Sequence, residues 1–179
     1  MPEPWRRMDR IRLLRNPIRE YAWGSRTALA ELLGQPLPSA QPQAELWMGA
    51  HPAAASEVRC DSKWVPLGDW IRRDPEAVLG LEVAQRFAGE LPFLLKVLAA
   101  AHPLSLQAHP DAAQARAGFE RENAAGIALD APQRCYRDPS HKPELVCALT
   151  PFAALCGFRP VDEIVTHVDE LRARRLADE

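Results

Sequence analysis

The stretch Leu-Ser-Leu-Gln-Ala-His-Pro (residues 104–110) alternates apolar and polar side chains up to its proline. In a β-strand, alternate side chains point to the same face of the sheet. Residues 104–109 therefore predict a strand in which Ser105, Gln107 and His109 share one face and the apolar side chains pack into a core. The amide oxygen and the imidazole nitrogen on that face are both potential metal ligands.

A second segment, His-Lys-Pro-Glu-Leu-Val (residues 141–146), has the same arrangement and begins a predicted strand at 142–149. Lys142 and Glu144 would point to one face of that strand. If the two polar faces meet, an amide, an imidazole and a carboxylate converge. This mixed nitrogen and oxygen set suits zinc or a similar divalent ion with positions left open for water or substrate. The residue pattern alone leaves a second interpretation open, a strand edge whose polar side chains face water.

The rest of the sequence reads as short segments, because seventeen prolines are spread through its 179 residues. This pattern favours short strands and loops over a helical bundle. Further strands are predicted at residues 11–14, 45–51, 92–98 and 152–157, and further short strands or loops near 58 and at 64–67. Helices are predicted at 27–33 with Thr27 as the cap, over 67–87 in two pieces divided near Gly80, at 111–123 with Asp111 at its start, and from Val161 onward with no stop signal before the final residue.

Composition excludes several classes of protein. Hydrophobic residues make up 47% and charged residues 26%, as in soluble globular proteins. The net charge is −2 and the basic residues are scattered, so neither a nucleic acid nor a membrane is an expected partner. The longest apolar run, residues 91–101, is interrupted by Pro92 and Lys96 and is far shorter than the roughly 20 residues of a membrane span.

The two ends of the chain and its cysteines bear on its cellular location. The first ten residues have no apolar core behind their basic residues, so no secretory signal is expected, and Met8 is an alternative start. The four cysteines are widely spaced and form no CxxC pair, which argues against a structural zinc knuckle or a disulfide scaffold. We interpret each cysteine as a small buried apolar residue and expect a reduced, cytoplasmic protein.

From about residue 11 to residue 164 the sequence resembles the type I phosphomannose isomerases. Six blocks in the same order carry the resemblance, which makes it more specific than any single block. The blocks are Tyr-Ala-Trp-Gly-Ser (21–25), Ala-Glu-Leu-Trp-Met-Gly-Ala-His-Pro (44–52), Pro-Phe-Leu-Leu-Lys-Val-Leu (92–98), Leu-Ser-Leu-Gln-Ala-His-Pro (104–110), His-Lys-Pro-Glu (141–144) and Cys-Gly-Phe-Arg-Pro (156–160).

The resemblance implies a fold and an activity. The fold would be mainly β with a helical insertion, a cupin-type (jelly-roll) β-barrel that is incomplete in this chain. The activity would be a zinc-dependent aldose–ketose isomerisation with one zinc ion per chain. Its substrates would be mannose 6-phosphate and fructose 6-phosphate, interconverted through a cis-enediol. By the same resemblance the predicted zinc ligands are Gln107, His109 and Glu144, and the family's fourth ligand, a histidine, and its catalytic arginine are expected further downstream.

The resemblance also assigns residues to the sugar-phosphate pocket. The predicted substrate-binding residues are Trp23, Glu45, Lys96 and Ser105, and the predicted proton-transfer candidates are Lys142 and His51. Each has a structural alternative: Trp23 as a plug in the barrel, and Glu45 and His51 as polar groups at a strand end. Lys96 interrupts an apolar run, and a buried lysine needs a partner such as a phosphate or a carboxylate.

We predict four segments. Residues 1–110 would be the amino-terminal part of the barrel with short helices, 111–133 a helical and loop excursion, 134–160 the return strands, and 161–179 the truncated start of a helical domain. A barrel lacking strands and a zinc site lacking a ligand should leave the chain poorly stable and inactive alone. Two other functions remain open: a non-catalytic, cupin-like sugar-phosphate-binding protein, and another cupin enzyme such as a metal-dependent oxygenase, although such enzymes favour His-rich iron sites. The sequence does not predict an oligomeric state.

Overall fold

A computed structural model describes residues 11–177, with side chains described to residue 175. The predictions about Met8, the missing secretory signal and the final residues of the chain lie outside this range. The chain divides into two compact units between Gln107 and Ala108. Each unit is described by itself.

In its described part, residues 11–107, the amino-terminal unit contains six short strands and four short helices. In chain order they are β1 (Leu14–Arg15), β2 (Ile18–Arg19), α1 (Ala28–Leu32), β3 (Glu45–Met48), β4 (Glu57–Cys60), β5 (Lys63–Pro66), α2 (Leu67–Arg73), α3 (Pro75–Leu79), α4 (Leu81–Arg86) and β6 (Leu95–Leu98). The strands form two antiparallel sheets, the first in the order β1-β4-β5 and the second in the order β2-β3-β6.

Strand β3 is the centre of the second sheet and has two different faces. Leu46 is buried together with Leu29 of α1 and Ala99, and Ile18 and Val97 pack against this core. Because side chains alternate along a strand, Glu45 and Trp47 lie on the opposite face. The register places Arg19 opposite Glu45 and Lys96 opposite Trp47, so all four share that face.

A buried serine ties the second sheet to the first. The Ser56 hydroxyl, just before β4, accepts a hydrogen bond from the Gly49 N–H at 3.0 Å and lies 2.8 Å from Asn16 Oδ1 and 3.2 Å from the Trp47 carbonyl. Ser56 is 0% exposed, so no solvent reaches its hydroxyl, and Gly49, whose N–H donates to it, is also buried. Buried polar groups left without a partner cost free energy, which makes Ser56 a sensitive point of the fold.

The start of α1 depends on a close backbone approach. A Cβ atom on Gly24 would lie 2.6 Å from the backbone nitrogen of Ala44, so this position requires glycine. The next residue, Ser25, accepts hydrogen bonds from the backbone N–H groups of Thr27 and Ala28. Thr27 occupies the N-cap position, as predicted, but its side chain makes no capping hydrogen bond, and the Ser25 hydroxyl accepts from the first N–H groups instead.

Up to residue 177, where the description ends, the carboxy-terminal unit contains two helices, α5 (Ala112–Ala124) and α6 (Val161–Ala177). Asp111 and Gln114 form a complete capping box at the start of α5, as expected of a helix that opens with Asp111. The helix predicted from Val161 is also present. None of the helices in residues 11–177 is long and apolar enough to cross a membrane.

Three predicted strands are wrong. Residues 104–109, 142–149 and 152–157 form no β-strand in the structure. A strand persists only when a neighbouring strand satisfies its backbone groups, and no segment of the described chain pairs with these three. Their apolar side chains are correspondingly exposed, with Leu106 at 86% and Leu145 at 96%. The fold of the described chain is therefore mixed rather than mainly β, with two open antiparallel sheets, helices and no closed barrel within residues 11–177.

Other elements differ in detail from the prediction. The strands around 45–51 and 92–98 are shortened to β3 and β6, and residues 67–87 form three helices, with Gly80 separating the last two at φ +83°. The expected burial of the cysteines is wrong for Cys135, Cys147 and Cys156, which are exposed. These three cysteines lie in segments that form neither helix nor strand. Cys60 is half-buried, and burial raises its pKa.

In the carboxy-terminal unit, a buried ion pair closes the loop after α5. Arg134 donates to the backbone oxygens of Tyr136 and Ile127 and to Asn123 Oδ1, and its Nε lies 3.5 Å from Glu122 Oε2. The backbone N–H of Tyr136 donates to Glu122, and this hydrogen bond is the main reason that the pKa of Glu122 lies below its ordinary value of 4.5. The N–H of Cys135 and the charges of Arg134 and Arg121 act in the same direction, while burial opposes them.

We expect Ser56→Ala to lower the free energy of unfolding by about 1–3 kcal/mol, because it leaves buried polar groups unpaired. Urea unfolding followed by tryptophan fluorescence measures the change. Ser62→Ala, at an exposed position in the β4–β5 turn, is the control and should change stability by less than about 0.5 kcal/mol. Equal effects of the two substitutions would contradict this role of Ser56.

We expect the Glu122 carboxylate to make stability depend on pH. Its folded-state pKa is lowered, so its stabilisation is fully present above about pH 4.5 and is lost as the pH falls through the folded-state value. In urea unfolding between pH 3 and 7, Glu122→Gln should weaken the chain at neutral pH and flatten the decline towards acid. Glu120→Gln, exposed on the same helix, should keep the slope of the unaltered chain. An unchanged slope in Glu122→Gln would count against this ion pair.

Candidate active site

A pocket of about 280 Å³ opens on the outer face of the second sheet. Strands β3 and β6 supply its charged and aromatic floor, and the segment just before residue 108 supplies one wall. Five of the sequence-predicted site residues lie in this pocket together with Tyr21, Trp47 and Leu104, which sequence reasoning did not select. The five are Trp23, Glu45, Lys96, Ser105 and Gln107.

The floor of the pocket is a three-residue cluster around one carboxylate oxygen. Trp47 Nε1 donates to Glu45 Oε2 at 2.6 Å, and Lys96 Nζ lies 3.8 Å from the same oxygen. The Lys96 ammonium also lies 5.0 Å from the centre of the Trp47 ring, within cation–π range. Glu45 is buried, whereas the Lys96 side chain is 29% exposed, so the ammonium has a partner below it and donors left for a ligand above it.

Aromatic rings form a second part of the pocket. Tyr21 and Trp23 stack with their centroids 5.8 Å apart and their planes at 30°. The turn that presents them is closed by a hydrogen bond from Gly24 N–H to the Tyr21 carbonyl. Such a wall offers an apolar surface to the carbon face of a sugar. The spacing of Glu45 and Trp47, two residues apart in a predicted strand, is the signal that would have added Trp47 to the site.

His51 lies beside this floor. Its ring meets the Trp47 ring edge-on at 5.2 Å, and its Nδ1 accepts a hydrogen bond from the Ala53 N–H at 3.1 Å. A nitrogen that accepts a hydrogen bond carries no proton, so in this arrangement the proton of the neutral ring is on Nε2.

In the carboxy-terminal unit, two of the predicted zinc ligands are neighbours. His109 Nδ1 lies 3.9 Å from Glu144 Oε2, and the side chains are 30% and 55% exposed. Among the described residues no group of three or more His, Cys, Asp or Glu side chains is arranged to hold a metal ion. Gln107, the third predicted ligand, lines the pocket of the amino-terminal unit.

The remaining candidate, Lys142, is held by an acidic neighbour four residues earlier. Its Nζ lies 2.8 Å from Asp138 Oδ2, and the lysine side chain is about half exposed. An ammonium in an ion pair has N–H donors and no lone pair. In this arrangement Lys142 suits contact with an anion or with a developing oxyanion.

One known family matches most of the chain. Residues 11–161 match the model of the family described as phosphomannose isomerase type I, catalytic domain. This chain belongs to that family. The match ends where α6 begins and covers the pocket residues, the His109–Glu144 pair and Lys142.

Individual phosphomannose isomerases give the same result. The chain is 57% identical over 152 residues to mannose-6-phosphate isomerase of Escherichia coli K12, covering 84% of this chain and 39% of that protein. It is 44% identical over 165 residues to the human enzyme, covering 86% of this chain and 36% of that protein. A crystal structure of the Salmonella typhimurium enzyme bound to fructose 6-phosphate and zinc matches with a TM-score of 0.66 and 53% identity over 73% of this chain and 33% of that one. The chain thus spans just over a third of the length of these relatives.

The donor atoms of the His109–Glu144 pair are of the kind that bind zinc, the metal in the related Salmonella typhimurium structure. Imidazole nitrogen and carboxylate oxygen are common zinc ligands, and two ligands on a tetrahedral zinc lie about 3.4 Å apart. The observed 3.9 Å is close to that spacing. The exposure of both side chains leaves room for further ligands. The residues present therefore fit a zinc ion as part of a ligand set.

We expect the Lys96–Glu45 contact to be energetically coupled, because Glu45 is buried and Lys96 is its nearest cation. A double-mutant cycle with Lys96→Met and Glu45→Gln should give a coupling energy of about 0.5–2 kcal/mol in urea unfolding. The exposed cross-strand pair Arg15–Glu57, at 3.2 Å, is the control. Its coupling should be smaller. If the effects of the two substitutions on the free energy of unfolding are strictly additive, Lys96 does not stabilise Glu45, and its role would be limited to ligand binding.

Proposed function

We propose that this chain is the amino-terminal part of a zinc-dependent mannose-6-phosphate isomerase, which interconverts mannose 6-phosphate and fructose 6-phosphate. The match of residues 11–161 to the catalytic domain of the phosphomannose isomerases carries this proposal. Fructose 6-phosphate and zinc in the related Salmonella structure support the substrate class and the metal.

The pocket of the amino-terminal unit is the proposed binding site for the sugar phosphate. Lys96 offers a cation, Ser105 a hydroxyl and Trp23 an aromatic surface, while Glu45 accepts hydrogen bonds and holds Lys96 in place. Contacts to the phosphate, which does not react, would fix the position of the carbons that do. A charged and aromatic floor with a small number of polar groups is typical of sites that orient a small polar ligand.

The reaction moves a proton between C1 and C2 of the open-chain sugar through a cis-enediol. The proposed zinc ligands in this chain are Gln107, His109 and Glu144, with one zinc ion per chain, and the 3.9 Å approach of His109 and Glu144 supports two of the three. When bound, zinc supplies Lewis acidity next to the sugar oxygens.

Lys142 and His51 are the proposed proton-transfer residues. Lys142, as an ammonium beside Asp138, would hold a proton at a substrate oxygen while negative charge develops there. His51 would exchange a proton at Nε2, since Nδ1 is engaged by the backbone of Ala53. A role for either residue as the initial base would require it first to leave its present partner.

The finer predictions about fold and location belong to the same proposal. We propose that residues 1–110 and 134–160 contribute to a cupin-type barrel that is incomplete in this chain. In this scheme residues 111–133 form an excursion from the barrel and residues 161–179 start a helical domain. Four free cysteines and a metabolic substrate favour a reducing cytoplasm.

A second function, a non-catalytic sugar-phosphate-binding protein, is favoured by one observation. The pocket of the amino-terminal unit offers a cation, a hydroxyl and aromatic rings to a sugar phosphate, and these contacts need no metal ion. This alternative keeps the proposed ligand and removes the reaction. The two functions differ in turnover, not in binding.

The test is to purify the 179-residue chain, and the same chain extended by whatever the gene encodes downstream, and to measure zinc content and isomerase turnover together. The extended chain should bind about one zinc per chain and turn over mannose 6-phosphate. The 179-residue chain should hold zinc more weakly and show little turnover, because affinity depends on ligand number.

His109→Ala in the extended chain should remove both zinc and turnover. His167→Ala, exposed on α6, is the matched control and should change neither. Sugar-phosphate binding without turnover in the zinc-loaded extended chain would support the binding protein instead. Full activity in the 179-residue chain would show that the prediction of an incomplete site is wrong.

A further inference from the structure

Arg19 is a second cation on the pocket face of the second sheet. It lies on β2 directly opposite Glu45 of β3, so its side chain shares a face with Glu45, Trp47 and Lys96. Its guanidinium lies 5.2 Å from the centre of the Trp47 ring and 5.5 Å from that of Tyr21. Both rings line the pocket. Arg19 is therefore placed at the edge of the pocket by the same register that places Lys96 in it.

The hydrogen bonds of Arg19 leave most of its donors unused. Nε donates to the Tyr21 hydroxyl at 3.2 Å, and within residues 11–175 no acceptor lies at hydrogen-bond distance from either terminal nitrogen. The side chain is half-buried, so these donors are partly removed from water without a protein partner. A guanidinium fork in this state is suited to bind a planar or tetrahedral anion through two parallel hydrogen bonds.

The charges on this face favour an anion. Arg19 and Lys96 carry two positive charges and Glu45 one negative charge, and the Glu45 carboxylate already receives the Trp47 N–H and faces Lys96. The other pocket-lining side chains are uncharged. Glu45 is therefore balanced by Lys96, and the remaining positive charge is that of Arg19, whose terminal N–H groups can bind an anion. The Tyr21 hydroxyl accepts from Arg19 and so keeps its own hydrogen to donate.

We propose that Arg19 is a further substrate-binding residue, which contacts the phosphate group of the sugar phosphate through its terminal nitrogens. The proposal rests on the proposed function for the identity of the ligand. It adds a residue that the family resemblance did not assign, and it gives the pocket two cations on different strands. The guanidinium of Arg19 on β2 would hold the phosphate, and the sugar would lie towards Lys96.

The test is a set of ligand titrations of the 179-residue chain, followed by tryptophan fluorescence. The ligands are mannose 6-phosphate, mannose and inorganic phosphate. Arg19→Gln should weaken mannose 6-phosphate binding about 10-fold or more, the effect expected of a lost hydrogen bond to a charged group. Mannose binding should not change. The affinity of the unaltered chain should also fall more steeply with salt than that of Arg19→Gln.

Two further variants control for packing and for charge. Arg59→Gln removes a guanidinium that also lies over a tryptophan, at 5.4 Å from Trp64, and also donates through Nε, but is in the first sheet. It should not alter binding. Arg19→Lys keeps the charge without the fork and should give an intermediate loss. If Arg19→Gln does not fold, the proposal is tested by the loss of mannose 6-phosphate affinity in Arg19→Lys.

Each other outcome overturns the proposal in a distinguishable way. Binding of mannose 6-phosphate within twofold of the unaltered chain would exclude contact by Arg19 but leave the proposed function standing. An equal loss for mannose and mannose 6-phosphate would show that Arg19 only supports the aromatic rings. Equal binding of inorganic phosphate and mannose 6-phosphate would indicate an anion site unrelated to the sugar. No binding by the unaltered chain would overturn both this proposal and the pocket assignment.

Discussion

Strand β3 pairs with β2 on one side and β6 on the other, and this double pairing decides what each neighbouring side chain can do. The hydrophobic side chain of Leu46 points into the core against Leu29 and Ala99. A register slip of one residue would move it to solvent and carry Glu45 and Trp47 into that core, at a large cost in free energy. The burial of one leucine therefore holds the register, and the register gathers the charged face on which the proposed site depends.

The charged face is stable because no buried charge stands alone. Glu45 is nearly inaccessible, and an isolated carboxylate there would be costly. Trp47 N–H donates to it and Lys96 faces the same oxygen. The Trp47 indole has a second function, since its ring lies under both Lys96 and Arg19. One ring and one carboxylate thus position two cations from two strands, which is a compact way to prepare a site for a phosphate.

The sequence predicted local features better than distant pairing. The capped helix after Asp111 followed from residues next to each other in the chain, and the structure has its complete capping box. The strand at 104–109 was predicted from the same kind of local alternation, but a strand needs a partner, and alternation alone does not supply one. For the site, the family resemblance selected Trp23, Glu45, Lys96 and Ser105, which all line one pocket. Trp47 was missed although it stands two residues from Glu45 in a predicted strand, which is a local signal. Arg19 was missed because its place beside Glu45 depends on which strand lies opposite, and register is not a local property of sequence.

The account depends on zinc being held by nitrogen and oxygen atoms of this chain, with His109 and Glu144 among them. Zinc K-edge X-ray absorption on the zinc-loaded chain tests this directly, since it reports the atoms bound to the metal. We expect only nitrogen and oxygen neighbours at about 2.0–2.1 Å, with an imidazole signature, and we expect His109→Ala to remove the bound zinc itself. A sulfur shell at about 2.3 Å would instead place the metal on the free cysteines and contradict the proposed centre.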